Sequence, residues 1–502
     1  MDYKSFVDGQ KTLIIAPAGY GKTYTIAECL KYTEGKQLVL THTHAGVASI
    51  KEKIKKARID PSTYSVETIS SFSQKYVHAF YVGTEMPDQD DAKEYHPFVI
   101  QKAISIFKAE IVKEVVRKTY SGLFVDEYQD CTKDQHQMIV TLANILPTHI
   151  LGDPLQGIFN FNNDAVVFED DLSEFEEFPE LSTPYRWYQE GNNKELGDII
   201  KGFREALING EPIALNADND NGFHVMSVQP NDFRVSTSDY RRGINKLLKN
   251  PENNPDYNSL LLIVPEYEET RNGRRVQKGG IDDRAKMRAQ IDYSKSLRLL
   301  EAIDDRSFYS LSKKADELII KIGRSRKPVK KIKNDILESL FNKTDLNVWF
   351  NEQGLKRKSA QQDKERSDKV QVKINEFLAL PCAKSLLGII LEIKDGLKLK
   401  YKREEIVYNF LKCLKQSDID QSSVHDSMKK NRNIIRRVGR KVHGKCIGTT
   451  HLTKGLEFDT VAILDADKFD CPKNLYVALT RCCKRLIIFT SKTTLSPYKA
   501  AL

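Results

Sequence analysis

Residues 13–23 read LIIAPAGYGKT, an apolar run that ends in a glycine-rich turn closed by Lys22 and Thr23. The spacing from Ala16 to Gly21-Lys22-Thr23 fits a phosphate-binding loop, with Ala16 in place of the customary first glycine. Gly19 and Gly21 let backbone N–H groups turn inward around phosphate oxygens, and a helix expected over Tyr24–Leu30 adds its N-terminal dipole. Ala16, Pro17, Ala18, Gly19, Tyr20, Gly21, Lys22 and Thr23 are therefore candidate nucleotide ligands. Lys22 would reach the β and γ phosphates, and the Thr23 hydroxyl would ligate Mg²⁺.

Outward from this loop, GLFVDEYQD at 122–130 ends a second apolar run in adjacent carboxylates. A buried strand would deliver both acids beside the phosphate loop. There Asp126 would enter the Mg²⁺ shell and Glu127 would orient and deprotonate the attacking water. Around these two stretches the first 185 residues alternate short β-rich runs (LIIA, QLVLT, GLFVDE, HILGDP) with helical ones, the rhythm of a parallel α/β sheet.

The chain has 502 residues, 40% of them apolar, and a net charge of +9, which calls for several cores rather than one. Its charge is uneven. Residues 311–450 hold 33 Lys and Arg against 17 Asp and Glu, +16 in all, which leaves the remainder at −7. That basic segment suits a polyanion, and nucleic acid is the commonest one in cytoplasm. The eight cysteines show neither a CxxC pair nor zinc-site spacing, as expected of reduced thiols in a cytoplasmic protein. No run approaches the ~18 apolar residues of a membrane span. The His42-x-His44 pair has no third ligand in view and is not read as a metal site.

The expected organisation is a first lobe over 1–185 with a small helical insertion at about 78–118, and a second α/β lobe over 186–280 and 441–502. A helical basic insertion over 281–440 interrupts the second lobe. The acidic run at 164–180 is expected to be a solvated loop.

These stretches resemble, in order, the motifs of the UvrD/Rep-like helicases of superfamily 1. APAGYGKT and DEYQD are similar to motifs I and II, ILGDPLQGIFNF at 150–161 to motif III and LSTPYRW at 181–187 to motif IV. TTHLTKGLEFDTVAIL at 449–464 is similar to motif V and LYVALTRCCKRL at 475–486 to motif VI. The resemblance implies two RecA-like parallel-sheet lobes of a P-loop NTPase, ATP and Mg²⁺ as cofactors, and single-stranded DNA, or DNA with single-stranded ends, as partner. It implies that Gln156 contacts the γ-phosphate and that Arg186 and Arg481 meet the charge of phosphoryl transfer. Tyr185 would stack on adenine, Glu457 would accept from the ribose, and Gln10 would read the base, although it stands only six residues before Ala16 with no lead-in helix expected.

For DNA, the resemblance implies contacts from Phe159 and Phe161, whose rings would stack on bases, from His451, and more loosely from His42 and Phe72 in THTHAGV and ETISSF. Polarity by resemblance is 3′ to 5′. Among compact members the chain looks most like the helicase subunit of Gabija-type antiphage systems, through DEYQDCTKDQH at 126–136, which implies an OLD-type nuclease partner. A DNA-repair helicase and a DNA-gated ATPase that controls a nuclease without unwinding are the alternatives.

Overall fold

The computed structural model describes residues 1–498 apart from 88–91, 160–164, 217–220, 230–231, 251–252, 272–273, 293–295, 302–305 and 439–441. Six strands form the first sheet: β1 (Lys11–Ile15), β2 (Gln37–Thr41), β3 (Tyr64–Thr68), β4 (Gly122–Val125), β5 (Thr148–Gly152) and β6 (Glu176–Phe178). All pairings are parallel, in the order β3-β2-β4-β5-β1-β6. Parallel strands need cover on both faces, so they read as near-continuous apolar runs. Leu13, Leu123, Val125 and Ile150 face one core, while Ile14, Phe124 and Leu151 face the other.

Register then aligns the strand ends. Ile15 lies opposite Gly152 and Val125 opposite Ile150, so the loops after β1, β4 and β5 leave the sheet side by side. Ligands of open α/β sheets bind at such carboxyl ends.

The acidic run is not a solvated loop. Glu176–Phe178 pairs in parallel with Thr12–Ile14 as an edge strand. Its apolar residues explain this: Phe168, Leu172 and Phe175 enter the first core, and Phe178 packs edge-on against Phe6 with centroids 5.3 Å apart. The helices Ala92–Phe107 and Glu110–Thr119 fill the expected insertion and bury Tyr95, Val99, Phe107 and Val116 in that same core.

In chain order there follow β7 (Ile213–Ala214), β8 (Phe223–Ser227), β9 (Leu260–Ile263), β10 (Tyr267–Arg271), β11 (Arg274–Lys278), β12 (Arg298–Leu299), β13 (Lys445–Gly448), β14 (Phe458–Ile463), β15 (Cys482–Thr490) and β16 (Thr494–Leu495). The second six-stranded sheet has the order β12-β13-β9-β14-β15-β8, again all parallel, while β10–β11 and β7–β16 are antiparallel pairs. Its strands also alternate between two cores: Leu261, Val461 and Ile488 on one face, Leu262, Ala462 and Ile487 on the other.

The two sheets and their helices form one compact unit, Met1–Leu300 with Val438–Leu502, and Glu301–Arg437 forms a second, all-helical unit. The helical unit thus begins at 301, not 281. The intervening helix Ile281–Ile291 buries Met287 and Ile291 in the second lobe's core, and β12 extends that lobe's sheet by pairing with β13. Helices of the second unit, among them Gln361–Ala379, Ala383–Asp395 and Glu404–Asp420, enclose a separate core that includes Leu318, Phe341, Ile374, Ile390 and Phe410.

Candidate nucleotide site

The loop after β1 takes the shape its glycines allow. Gly19 and Gly21 adopt φ of 78° and 88°, left-handed values that a side chain would strain. A Cβ on Gly19 would also meet the Trp187 ring at 2.9 Å. The following helix runs Lys22–Cys29, two residues earlier than expected, so its free N–H groups open directly into the loop. Lys22 is buried and donates to the Ala16 carbonyl at 3.1 Å, with its Nζ 3.5 Å from Glu127 Oε2. Thr23 is half-buried in the first helical turn. Two members of the loop face elsewhere. The Ala18 N–H lies 3.2 Å from both Asp153 Oδ2 and the Tyr476 hydroxyl, and the Tyr20 side chain is buried in the second lobe's core.

β4 ends where the sequence places the acids. Glu127 has φ 56° and ψ 39°, an unusual backbone for a non-glycine residue that typically costs of order 1–3 kcal/mol. Gln129 donates to the Glu127 carboxylate, and its own Oε1 accepts from the Asp153 N–H at 2.9 Å. Burial alone would raise the Glu127 carboxyl, but the charges of Lys22, Lys454 and Arg481 and the Gln129 hydrogen bond outweigh it and hold it at about 2. Held low in this way, the carboxyl is ionised at neutral pH. Asp126 is pushed the other way, up to about 7, by burial and by the Glu127 charge, with Lys22 opposing. A buried carboxylate after β4 and a hydroxyl in the first turn of the helix after the phosphate loop fit Mg²⁺, which takes one or two protein oxygens together with substrate phosphates.

Gln156 follows β5 and spans the lobes. Its Nε2 donates to Asp153 Oδ2 at 3.0 Å, and its Oε1 accepts from Arg481 Nη2 at 3.3 Å. Arg481 is buried, donates through Nε to the Val477 carbonyl at 3.0 Å, and has its pKa lowered to about 10 by burial and by Arg186. Arg186 belongs to the turn Arg186–Glu190. Its N–H donates to the Gly19 carbonyl at 2.9 Å, and its guanidinium holds Glu457 and the Thr480 carbonyl. The Glu457 carboxylate, in turn, keeps the Arg186 pKa above its usual value against the effect of burial. Tyr185 is 40% exposed, and a Cβ on Gly21 would stand 3.4 Å from its ring, so its face borders the loop.

Gln10 is not brought here. It is exposed at the start of β1, and the five-residue strand separates it from the loop by roughly 16 Å. A short lead-in helix is present after all, Tyr3–Asp8, capped by the Asp2 carboxylate on the Lys4 and Ser5 N–H groups.

The expected DNA-contacting residues separate. Phe159 lies beside His451 with ring centroids 5.8 Å apart, and Lys454 Nζ stands 4.8 Å from the Phe159 ring centre. Lys454 also pairs with Asp130, tying the second lobe to the loop after β4. His42 is half-buried, its Nε2 3.4 Å from the Cys131 sulfur, and burial and Lys454 lower its pKa to about 4. Phe72 is corrected: it is fully buried, stacked on Phe107 at 5.7 Å and tilted against Tyr76, with no face free for a base. Phe161 lies outside the described residues.

Sequence reasoning assigned no role to Gln129, Asp153, Arg204, Lys454 or Tyr476. Gln129, Asp153, Lys454 and Tyr476 stand inside the quoted motifs, which was the available signal. Arg204 had none.

Two parallel sheets that share a phosphate loop, an acid pair and two buried arginines define a two-lobed P-loop core. Residues 3–162 match the sequence family described as an AAA domain, and residues 404–490 match the viral superfamily 1 RNA helicase core domain. Together the two matches support a superfamily 1 helicase-like core. The chain is similar to an ATP-dependent helicase/nuclease subunit of Lactococcus lactis subsp. lactis (strain IL1403), 24% identical over 174 residues, which cover 30% of this chain and 14% of that protein. Among solved structures it is similar to the Pif1 helicase from Candida albicans, 11% identical with a TM-score of 0.38, over 98% of this chain and 95% of that one. An Arterivirus nonstructural protein 10 (helicase) is 10% identical with a TM-score of 0.31, over 97% of this chain and 61% of that one. Among the described residues, no helix is long and apolar enough to cross a membrane.

Proposed function

We propose that the chain hydrolyses Mg-ATP and uses the cycle to move 3′ to 5′ along single-stranded DNA. The observation that carries this reading is Gln156, held by Asp153 of the first lobe and Arg481 of the second. A group placed there responds both to the terminal phosphate and to lobe closure. Asp126 and Thr23 would hold Mg²⁺, which would supply charge neutralisation at the phosphates. Lys22 binds the phosphates, Glu127 takes the proton of the attacking water, and Arg186 and Arg481 meet the developing charge. Arg186 must leave Glu457 or share it, which leaves that carboxylate for the ribose. Phe159 and His451 adjoin this site and offer rings to a single strand, with Lys454 beside the Phe159 ring.

The resemblance to Gabija-type helicases and the basic helical unit support a role in antiphage defence with an OLD-type nuclease. The test is ATPase activity with and without single-stranded DNA, run beside strand displacement on duplexes with 3′ or 5′ overhangs. DNA-stimulated hydrolysis with displacement from the 3′ overhang supports the motor. Stimulated hydrolysis without displacement favours an ATPase that gates its partner. Absence of ATP hydrolysis overturns both.

A further inference from the structure

Behind the phosphate loop, Arg204 reaches from the second lobe's helix Lys194–Ile208 to the end of β5. It is 6% exposed, and its Nη2 lies 3.3 Å from Asp153 Oδ1 and 3.2 Å from Glu180 Oε1. The guanidinium carbon stands 5.9 Å from the Tyr476 ring centre. Its buried Nε makes no hydrogen bond, so charge and the aromatic ring hold the side chain rather than a full set of donors. Asp153, fully buried, uses its other oxygen for the Gln156 amide at 3.0 Å and the Ala18 N–H at 3.2 Å.

The geometry points to Arg204 as a positioning residue for Gln156, acting through Asp153. The Gln156 amide has two possible orientations. With its NH₂ on the Asp153 carboxylate, its oxygen meets Arg481; reversed, an acceptor would face a carboxylate and a donor would face a guanidinium. Asp153 therefore selects the orientation, and Arg204 anchors Asp153 from the second lobe. When the lobes shift during a nucleotide cycle, the Arg204–Asp153 contact moves with them, so the amide is correctly aimed only in the closed arrangement. This inference rests on the reading of Gln156 as the group that contacts the terminal phosphate.

Steady-state ATP hydrolysis with saturating single-stranded DNA tests it, in wild type, Arg204→Met, Arg204→Lys, Gln156→Ala and the Gln156→Ala/Arg204→Met double variant. Misplacing a catalytic group slightly costs one to two orders of magnitude. Arg204→Met should lower kcat at least about tenfold with KM for ATP within about threefold, and Arg204→Lys should recover much of the loss. In the Gln156→Ala background Arg204→Met should add almost nothing, since both changes remove one function. Arg204→Met leaves Asp153 buried beside an apolar chain, so Asp153→Asn/Arg204→Met, which removes both charges, accompanies it and should show the same kcat loss. Fluorescent-nucleotide binding checks the fold of each. Additive losses in the double variant, or an undiminished kcat in Arg204→Met, overturn the positioning role. A wild-type chain without ATPase activity overturns the underlying function as well.

Discussion

Arg481 Nη2 lies 3.3 Å from Gln156 Oε1, a hydrogen bond between the motif that leaves the second lobe's helix Pro472–Leu479 and the loop that leaves β5 of the first. The two residues are far apart in the chain and meet because both sheets direct strand ends to one place. The site is therefore complete only as a composite.

Its acid pair gives the first prediction. Glu127→Gln keeps the shape of the side chain but removes the base, so nucleotide binding should persist while turnover falls by roughly 10²-fold or more. Lys22→Ala should weaken binding itself. Parental turnover in Glu127→Gln, read by phosphate release, would remove Glu127 from the role of base.

Two phenylalanines expected to contact DNA, Phe72 only loosely, should behave oppositely. Phe159→Ala removes a stacking surface worth roughly 1–3 kcal/mol per base, so single-strand affinity should fall roughly 5- to 150-fold with basal ATPase retained. Phe72→Ala should instead destabilise the first lobe by about 3–5 kcal/mol, as large-to-small core changes do. Fluorescence anisotropy with a labelled oligonucleotide and thermal unfolding separate the two.

His149 predicts an acid limb in stability. It is 2% exposed, its Nδ1 2.8 Å from Thr12 Oγ1, and burial lowers its pKa to about 4. Unfolded, it titrates near 6.5. Between these values the unfolded chain carries the extra proton, so stability is highest above pH 6.5 and falls as pH drops towards 4, by up to about 1.4 kcal/mol per pH unit. Thr12 also donates to the Phe6 carbonyl at 3.2 Å, so His149→Leu leaves its hydroxyl satisfied. The unfolding midpoint of wild type should fall relative to that of His149→Leu between pH 7 and pH 5; a constant difference would contradict the argument.

Arg324, Arg326 and Lys327 are exposed on the helical unit. Reversing their charge should disrupt association with the proposed nuclease partner more than single-strand binding. Every DNA phosphate that the variant no longer neutralises would flatten the log–log salt dependence of DNA affinity by about 0.9. An intact complex with a flattened slope would make this surface a DNA grip instead.

The two sheets, the phosphate loop and the acid pair were legible in the chain alone, because each depends on local rules. Apolar runs buried on both faces make parallel strands, glycines at 19 and 21 permit left-handed backbone, and acids after β4 must emerge at a strand end. The motif order also singled out Gln156, Arg186 and Arg481 as candidates. Tertiary structure alone decided which residues meet. Ala18 bonds Tyr476 across 458 positions, Asp130 takes Lys454 across 324, and Arg204 holds Asp153, with no periodicity to announce any of these pairings. It also separated Phe72 from Phe159 and drew Glu176–Phe178 into the first sheet. A single ring or carboxylate reads the same in sequence whether it is sealed in a core or left at a site, and only packing against distant chain makes the difference.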